Sequence, residues 1–441
     1  MSSANERQRV GLGTCVALVV GNSIGGGVFL LPASLAPYGV NGLIAWAVAA
    51  AGALLLAFMY VQLSRAHPEA GGPYAYTRQA FGPLVAFVVS WGYWISIWVG
   101  NAAIALSAVS YLAAPFPWIR AIPAAPEVLT LFLVWALTAV NCYGIRASGW
   151  VQSVTTVLKV IPLIAIAIAA PFVIRSQDLA TAAATVPISF SGVGAATTMT
   201  LFALMGLESA TVPASRVRNP ARTIPLATFF GALITALLCA LASGAVLLKI
   251  PEAQLARSGA PFADLAASLW GGWARPTVSL FAAVSAIGAL NGWILLQGEL
   301  PHAMARTGAF PEVFGRDSKR GTPVAAIVFG SVLVTVLLLL NTRQSTVDIF
   351  TFMLLVSTSA CLVLYGVSGL ALVRLAWTGR MPGARLGRGA LTALGTVAAL
   401  YSLWAIGGAG RDANLWGAAL LVGGLPLYAY TVFVRSRRAR R

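Results

Sequence analysis

Charge is what this sequence has least of: 9% of its 441 residues are charged, and only 12 are Asp or Glu, against 59% hydrophobic residues. A soluble domain coats itself with about 25% charged residues, so a water-soluble fold is excluded and a polytopic membrane protein is expected. Histidine is nearly absent, with only His67 and His302, both near loops, and no nucleophile-base constellation accompanies them. Enzymatic chemistry is therefore not expected. The cysteines Cys15, Cys142, Cys239 and Cys361 show no paired spacing, which argues against a disulfide framework and against a metal site. No cofactor is expected. Residues 1–10 lack the apolar core of a signal peptide, so the first apolar run is expected to be retained.

What is present is a succession of long apolar runs. Measured against the roughly 20 residues needed to cross a bilayer, they give twelve spans. Their approximate limits are 12–36, 41–64, 83–113, 127–145, 149–174, 193–214, 224–248, 276–301, 323–341, 346–374, 389–408 and 412–434. An all-α membrane protein is the expected class, without a soluble catalytic domain, since the connections are short and punctuated by Gly and Pro.

The net charge of +17 is unevenly spread. With the N-terminus inside, the basic residues facing outward are Arg120, Arg175, Lys249, Arg257, Arg275, Arg343 and Arg411, and Lys159 falls within a span. All the other basic residues among the 29 fall on the cytoplasmic side. That asymmetry is the positive-inside pattern and predicts both termini in the cytoplasm. The basic tail after Val434 is explained by lipid headgroups, and nucleic acid is not needed as a partner.

The first span contains Gly21-Asn22-Ser23-Ile24-Gly25-Gly26-Gly27-Val28-Phe29. So many glycines at mid-membrane predict a broken helix, which lipid tolerates only where protein or a polar cavity receives the freed backbone groups. The amides of Ser23 to Gly27 would then open an outer half-helix suited to a carboxylate. Span 6 is also weak in its middle, at Met205-Gly206-Leu207-Glu208, and carbonyls near Phe202 to Met205 would suit an ammonium group. An anion site beside a cation site matches an α-amino acid. Two weak spans five apart predict a 5+5 inverted repeat: residues 1–175 as the first half, 176–375 as the second, and 376–441 as two added spans with a basic tail.

Four further features stand out. Glu208 is an ionisable group at mid-span and a functional candidate, or else a structural carboxyl. Lys159 in span 5 is either a fixed cation standing where a coupling sodium would sit, or a snorkelling side chain. Trp293, flanked by Asn291 and glycines, could stack on a ligand. Asn101 with Ser96 and Tyr93 gives span 3 a polar face, whose ordinary use is interhelical hydrogen bonding.

Taken together, the glycine run with Val28, Phe29 and Pro32, the Gly71-Gly72-Pro73-Tyr74-Ala75-Tyr76 loop, Asn219-Pro220-Ala221-Arg222-Thr223-Ile224-Pro225, and Ala309-Phe310-Pro311 followed by Gly321-Thr322-Pro323-Val324 resemble the amino acid-polyamine-organocation (APC) superfamily. Within it the pattern resembles the basic amino acid/polyamine antiporters, including their arginine/agmatine exchangers. The resemblance implies unwound helices 1 and 6 at the substrate site, alternating access, a homodimer and an inner-membrane location. It assigns Asn22 and Gly25, Gly26 and Gly27 to the carboxylate, and Asn101 and Trp293 to the side-chain pocket. Tyr93 and Glu208 fall to the inner gate, and Phe202 and Ser357 to outer gating and pocket closure. The chain departs from the arginine/agmatine pattern at Phe202, Gly26, Ile104 and Lys159.

The expected function is sodium-independent transport of an amino acid or amine, as an exchanger, with arginine against agmatine as one pair. The expected substrate-binding set is Asn22, Ser23, Ile24, Gly25, Gly26, Gly27, Ser96, Asn101, Phe202, Met205, Trp293 and Ser357, with Tyr93, Lys159 and Glu208 as gating or proton-linked residues. The alternative is a proton-coupled neutral amino acid symporter, and a non-transporting membrane receptor is a reading from another class.

Overall fold

The computed structural model describes residues 11–67, 72–144, 160–206, 219–341 and 345–438, all helical or in turns and connections. The first apolar run is two helices, α1 (Leu12–Ser23) and α2 (Gly26–Leu35), with Ile24 and Gly25 between them in non-helical conformation. Then come α3 (Val40–Ala66), α4 (Pro73–Phe81), α5 (Pro83–Leu112) and α6 (Ala125–Tyr143). The described end of the fifth run is α7 (Val160–Val173), which bends by 97° into α8 (Ser176–Thr185). α9 (Phe190–Phe202), α10 (Pro220–Lys249), α11 (Pro261–Trp270), α12 (Ala274–Arg306) and α13 (Val324–Leu340) follow. The chain closes with α14 (Thr346–Trp377), α15 (Arg388–Gly408), α16 (Arg411–Gly423) and α17 (Leu425–Arg438).

Among the described residues, eight helices are long and apolar enough to cross a bilayer. The four remaining sequence spans fall short for separate reasons. Run 1 is interrupted, run 6 is described only to Gly206 with its helix ending at Phe202, run 5 is described only from Val160, and α13 has 17 residues. The protein is an all-helical polytopic membrane protein. Several connections expected to be plain loops are helical instead. α4, α8 and α11 are short helices, and a Pro at the first turn of α4 and α11 supplies a preset φ where the missing N–H has no cost.

Burial ranks the helices. In α5 94% of the apolar window is buried, against 17% for the last span, so α5 is the central column and α16–α17 lie at the periphery. α5 packs against α12 and α14, and α14 packs along α15. α10 packs against α1 and α3, and α3 against α9. α2 touches members of both sets, including α5, α12, α9 and α10, so the half-helix after the break sits between them.

Lipid removes most of the hydrophobic drive between helices, so close backbone approach and ring contacts carry the packing. At the α14–α15 crossing a side-chain carbon on Gly369 would stand 2.6 Å from Gly395 O, so both positions need glycine. Near the start of α5, Trp94 stacks on Phe329 at 5.8 Å and touches Trp91 at 5.1 Å, pairs worth about 0.5–1.5 kcal/mol each.

Candidate functional site

The break between α1 and α2 opens onto a narrow cavity. Ser23, Gly25, Gly27 and Val28 bring the break to its wall. The glycine run dictates the local path: Gly25 is extended at the N-cap of α2, and the first amides of any helix lack intrahelical acceptors. They point the positive end of α2 toward the cavity.

α5 contributes Tyr93, Ser96, Ile97, Gly100 and Ile104, spaced to share one helical face. Facing them are Phe202, Ala203 and Met205, where α9 ends and the chain continues in turn conformation to Gly206 with its φ of 95°. α12 adds Trp293, and α14 adds Ser357 and Cys361, one turn apart. Phe202 meets Phe350 edge to face at 6.5 Å, so the ring is held from behind. Its front lies against Gly27 and Gly100, and a methyl group on Gly27 would overlap the ring.

The polar inventory is short and mostly committed. Ser357 Oγ donates to Ser96 O at 2.7 Å, and Ser96 Oγ donates to Tyr93 O at 2.8 Å. Ser23 Oγ, by contrast, is buried without a hydrogen-bond partner among the described residues. Among the described residues, no three His, Cys, Asp or Glu gather to hold a metal ion.

The structure thus brings Ser23, Gly25, Gly27, Tyr93, Ser96, Phe202, Met205, Trp293 and Ser357 around one cavity. Ile24 is not among the lining residues: it is fully buried in the apolar core, because the non-helical turn rotates it away. Asn101 does not line the cavity either; its Nδ2 donates to Gln297 Oε1 at 2.8 Å in the packing between α5 and α12. Gly26 begins α2 and Asn22 lies in the last turn of α1, its side chain outside the described set. Lys159 and Glu208 lie outside the described residues. Val28, Ile97, Gly100, Ile104 and Cys361 were not anticipated as lining. For Ile97, Gly100 and Ile104 the signal was available, as they continue the helical stripe of Tyr93 and Ser96.

The amino acid permease family profile matches residues 10–426. A cadaverine/lysine antiporter of Escherichia coli (strain K12) is 35% identical over 350 residues, covering 78% of this chain and 77% of its own. An arginine/ornithine antiporter of Pseudomonas aeruginosa is 32% identical over 378 residues, covering 82% and 78%. The putrescine transporter PotE of Haemophilus influenzae is 27% identical over 434 residues, covering 97% and 98%. With a backbone break, an aromatic-walled cavity and this coverage in hand, the chain belongs to the amino acid permease family of the APC superfamily, among its basic amino acid/polyamine antiporters, and is a transporter and not an enzyme.

Proposed function

We propose that the chain exchanges a basic amino acid for a second basic amino acid or for a decarboxylated amine, without sodium, by alternating access. The observation that carries this reading is the interrupted first span opening onto the cavity. The start of α2 offers amides for a carboxylate, and the exit of α9 offers backbone carbonyls for an ammonium group. Phe202, Trp293 and Tyr93 supply ring faces against which the rest of a cationic substrate can lie. The relatives named for cadaverine/lysine, arginine/ornithine and putrescine transport support a cationic substrate class. The arginine/agmatine pair is one member of that class.

In this reading α1, α3, α9 and α10 rock against α5, α12 and α14, with α2 between them, and the twelve spans form two inverted halves of five plus two. The chain lies in the inner membrane with both termini in the cytoplasm and works as a homodimer. Lys159 takes the place of a coupling sodium, and Glu208 with Tyr93 closes the inner side.

The test is counterflow in proteoliposomes. Vesicles loaded with lysine, arginine, ornithine, agmatine, cadaverine or putrescine are assayed for uptake of labelled lysine and arginine in sodium-free buffer. Exchange needs a substrate on the inner face. Uptake into empty vesicles driven by a pH gradient alone, with no gain from preloading, would instead point to proton symport.

A further inference from the structure

A second cavity lies away from the break, where α5 ends, α6 begins and α13 passes to α14. Its volume is about 320 Å³, enough to hold a small polar group. α5 reaches it with Leu106, Val109, Ser110 and Ala113. At about 100° per residue these lie on nearly the opposite face of α5 from Tyr93, Ile97, Gly100 and Ile104, which line the cavity at the break. The second cavity therefore stands behind the central column and is not an antechamber of the first.

Its charged groups come in both signs. Arg120, from the short helix Trp118–Ala121, and Arg257, from the connection before α11, line it together, and neither makes an ion pair among the described residues. The Arg120 guanidinium is seated against Gly259: a side-chain carbon there would overlap its terminal nitrogen and crowd Ser110 Oγ, which donates to Gly259 O at 2.7 Å. Glu127, in the first turn of α6, supplies the opposite charge. Its Oε2 is buried without a hydrogen-bond partner among the described residues, although both arginines line the same cavity. Two guanidinium groups without a carboxylate suit a phosphate, and a buried carboxylate oxygen without a donor suits an N–H.

The surroundings decide what carries those two groups. The ends of four helices meet here, at Leu112, Ala125, Leu340 and Thr346, which puts the cavity at a bilayer boundary. Phe116 and Trp118, close to Arg120 in sequence, are exposed, as aromatic side chains at such a boundary are. Leu131, Leu338 and Leu339 give the cavity apolar walls, and the apolar surface continues outward over exposed Val128 and Phe132 on α6 and Val336 and Leu340 on α13. A soluble zwitterion has no use for that extension, whereas acyl chains do.

We propose that this cavity is a phospholipid site selective for an ethanolamine headgroup: Arg120 and Arg257 take the phosphate, Glu127 Oε2 accepts from the primary ammonium, and the acyl chains leave along α6 and α13. A choline headgroup carries the same charges, but its ammonium has no N–H to give. A glycerol headgroup has no cation at all. A site built to accept a hydrogen bond discriminates strongly against an analogue that has none to donate. The cavity is separate from the one at the break, so this assignment holds or falls apart from the substrates exchanged.

The experiment reconstitutes the purified chain in vesicles of equimolar phosphatidylethanolamine, phosphatidylcholine and phosphatidylglycerol with identical acyl chains, extracts it in mild detergent and counts retained lipids by native mass spectrometry. Wild type is expected to keep the ethanolamine lipid about tenfold over each of the others. Glu127→Ala is expected to abolish that preference, and Arg120→Ala with Arg257→Ala to lower retention of all three lipids. Gly259→Ala keeps every charge but displaces the Arg120 guanidinium, and is expected to lower retention as well. Glycerophosphoethanolamine, the headgroup without acyl chains, is expected to raise the melting temperature less than the whole lipid does. The inference is overturned if wild type retains the three lipids equally, if folded Glu127→Ala keeps the preference, or if the arginine and glycine variants retain as much as wild type. Equal stabilisation by the bare headgroup also overturns it, since the ligand is then a soluble zwitterion. Should Glu127→Ala fail to purify, Glu127→Gln removes the charge at constant size, with the same loss expected and its absence equally decisive. Failure of exchange in the same vesicles would sink the transport reading and leave this one standing.

Discussion

The ring of Phe202 fills the space that a side-chain carbon on Gly27 would need, so the break in the first span and the end of α9 are fitted to each other across the cavity. Gly27→Ala should force the ring back toward Phe350, at an overpacking cost of about 1–3 kcal/mol. Exchange should fall by roughly tenfold or more, the equivalent of about 1.4 kcal/mol on a barrier. Phe202→Leu combined with Gly27→Ala should recover part of the loss. A double-mutant cycle on flux and on melting temperature checks this, and purely additive losses would contradict the fit.

A second relation ties α2 to the start of α11. Tyr111 Oη donates to Phe29 O at 2.7 Å and accepts from Phe262 N at 3.2 Å, with the Phe29 ring set edge-on against both aromatic neighbours. Tyr111→Phe keeps the rings but strands the buried Phe262 amide, at a cost of about 1–3 kcal/mol. The variant should melt at a lower temperature than wild type. Because α2 and α11 are no longer joined, hydrogen exchange should also rise at residues 26–35 and 261–270. Unchanged protection in both segments would show that the bridge does not restrain them.

The interruption of the first span was legible because its cause is local: glycines in an apolar run cannot be read as an ordinary spanning helix. The limits of α3, α5, α12 and α14 were legible within a few residues for the same reason, since run length and flanking Gly or Pro mark them. What the sequence hides depends on contacts between distant residues. Asn101 read as a polar residue on a span, but its bond to Gln297, 196 positions away, exists only once α5 and α12 are packed together. Ile24 shared the glycine run yet turns into the core, because the φ and ψ of a broken helix are not periodic and cannot be projected onto a wheel. The helical connections α4, α8 and α11 were obscured by being too short and too polar, or too broken by Gly and Pro, for a bilayer-length search.

Acid stability should register the ion pair between the start of α8 and the end of α10. Asp178, at the start of α8, accepts from the Arg175 amide at 2.8 Å and from Lys249 Nζ at 3.0 Å, at the end of α10. The Arg175 amide foremost, and then Lys249, hold its carboxyl below the ordinary aspartate range. A lowered folded pKa means the contribution is fully present above the unfolded value of about 3.9 and is lost as pH falls through the folded value beneath it. Asp178→Asn should therefore lower the melting temperature slightly at neutral pH, the pair being partly solvated, and the gap to wild type should close only in strong acid. Added salt should narrow it as well. Melting curves in detergent across pH and ionic strength measure this, and a gap that widened on acidification would have the wrong sign.

Ser23 separates affinity from stability more sharply than any other residue at the cavity. Its hydroxyl is buried at the break with no hydrogen-bond partner among the described residues, so it gains little for the fold and carries a desolvation cost. Ser23→Ala removes that cost and fills the position with a residue that favours helix. The ligand-free variant should be as stable as wild type, or more so by up to about 1 kcal/mol. A substrate that supplies the missing partner would lose one hydrogen bond to a charged group, so KM should rise by about tenfold while the unliganded melting temperature holds or climbs. Melting curves without ligand and KM from exchange are measured on one preparation. If the two move down together, Ser23 supports the fold and is not a contact held open for the substrate. If KM stays put while stability rises, the substrate does not reach this hydroxyl, and the carboxylate must be held by the α2 amides alone.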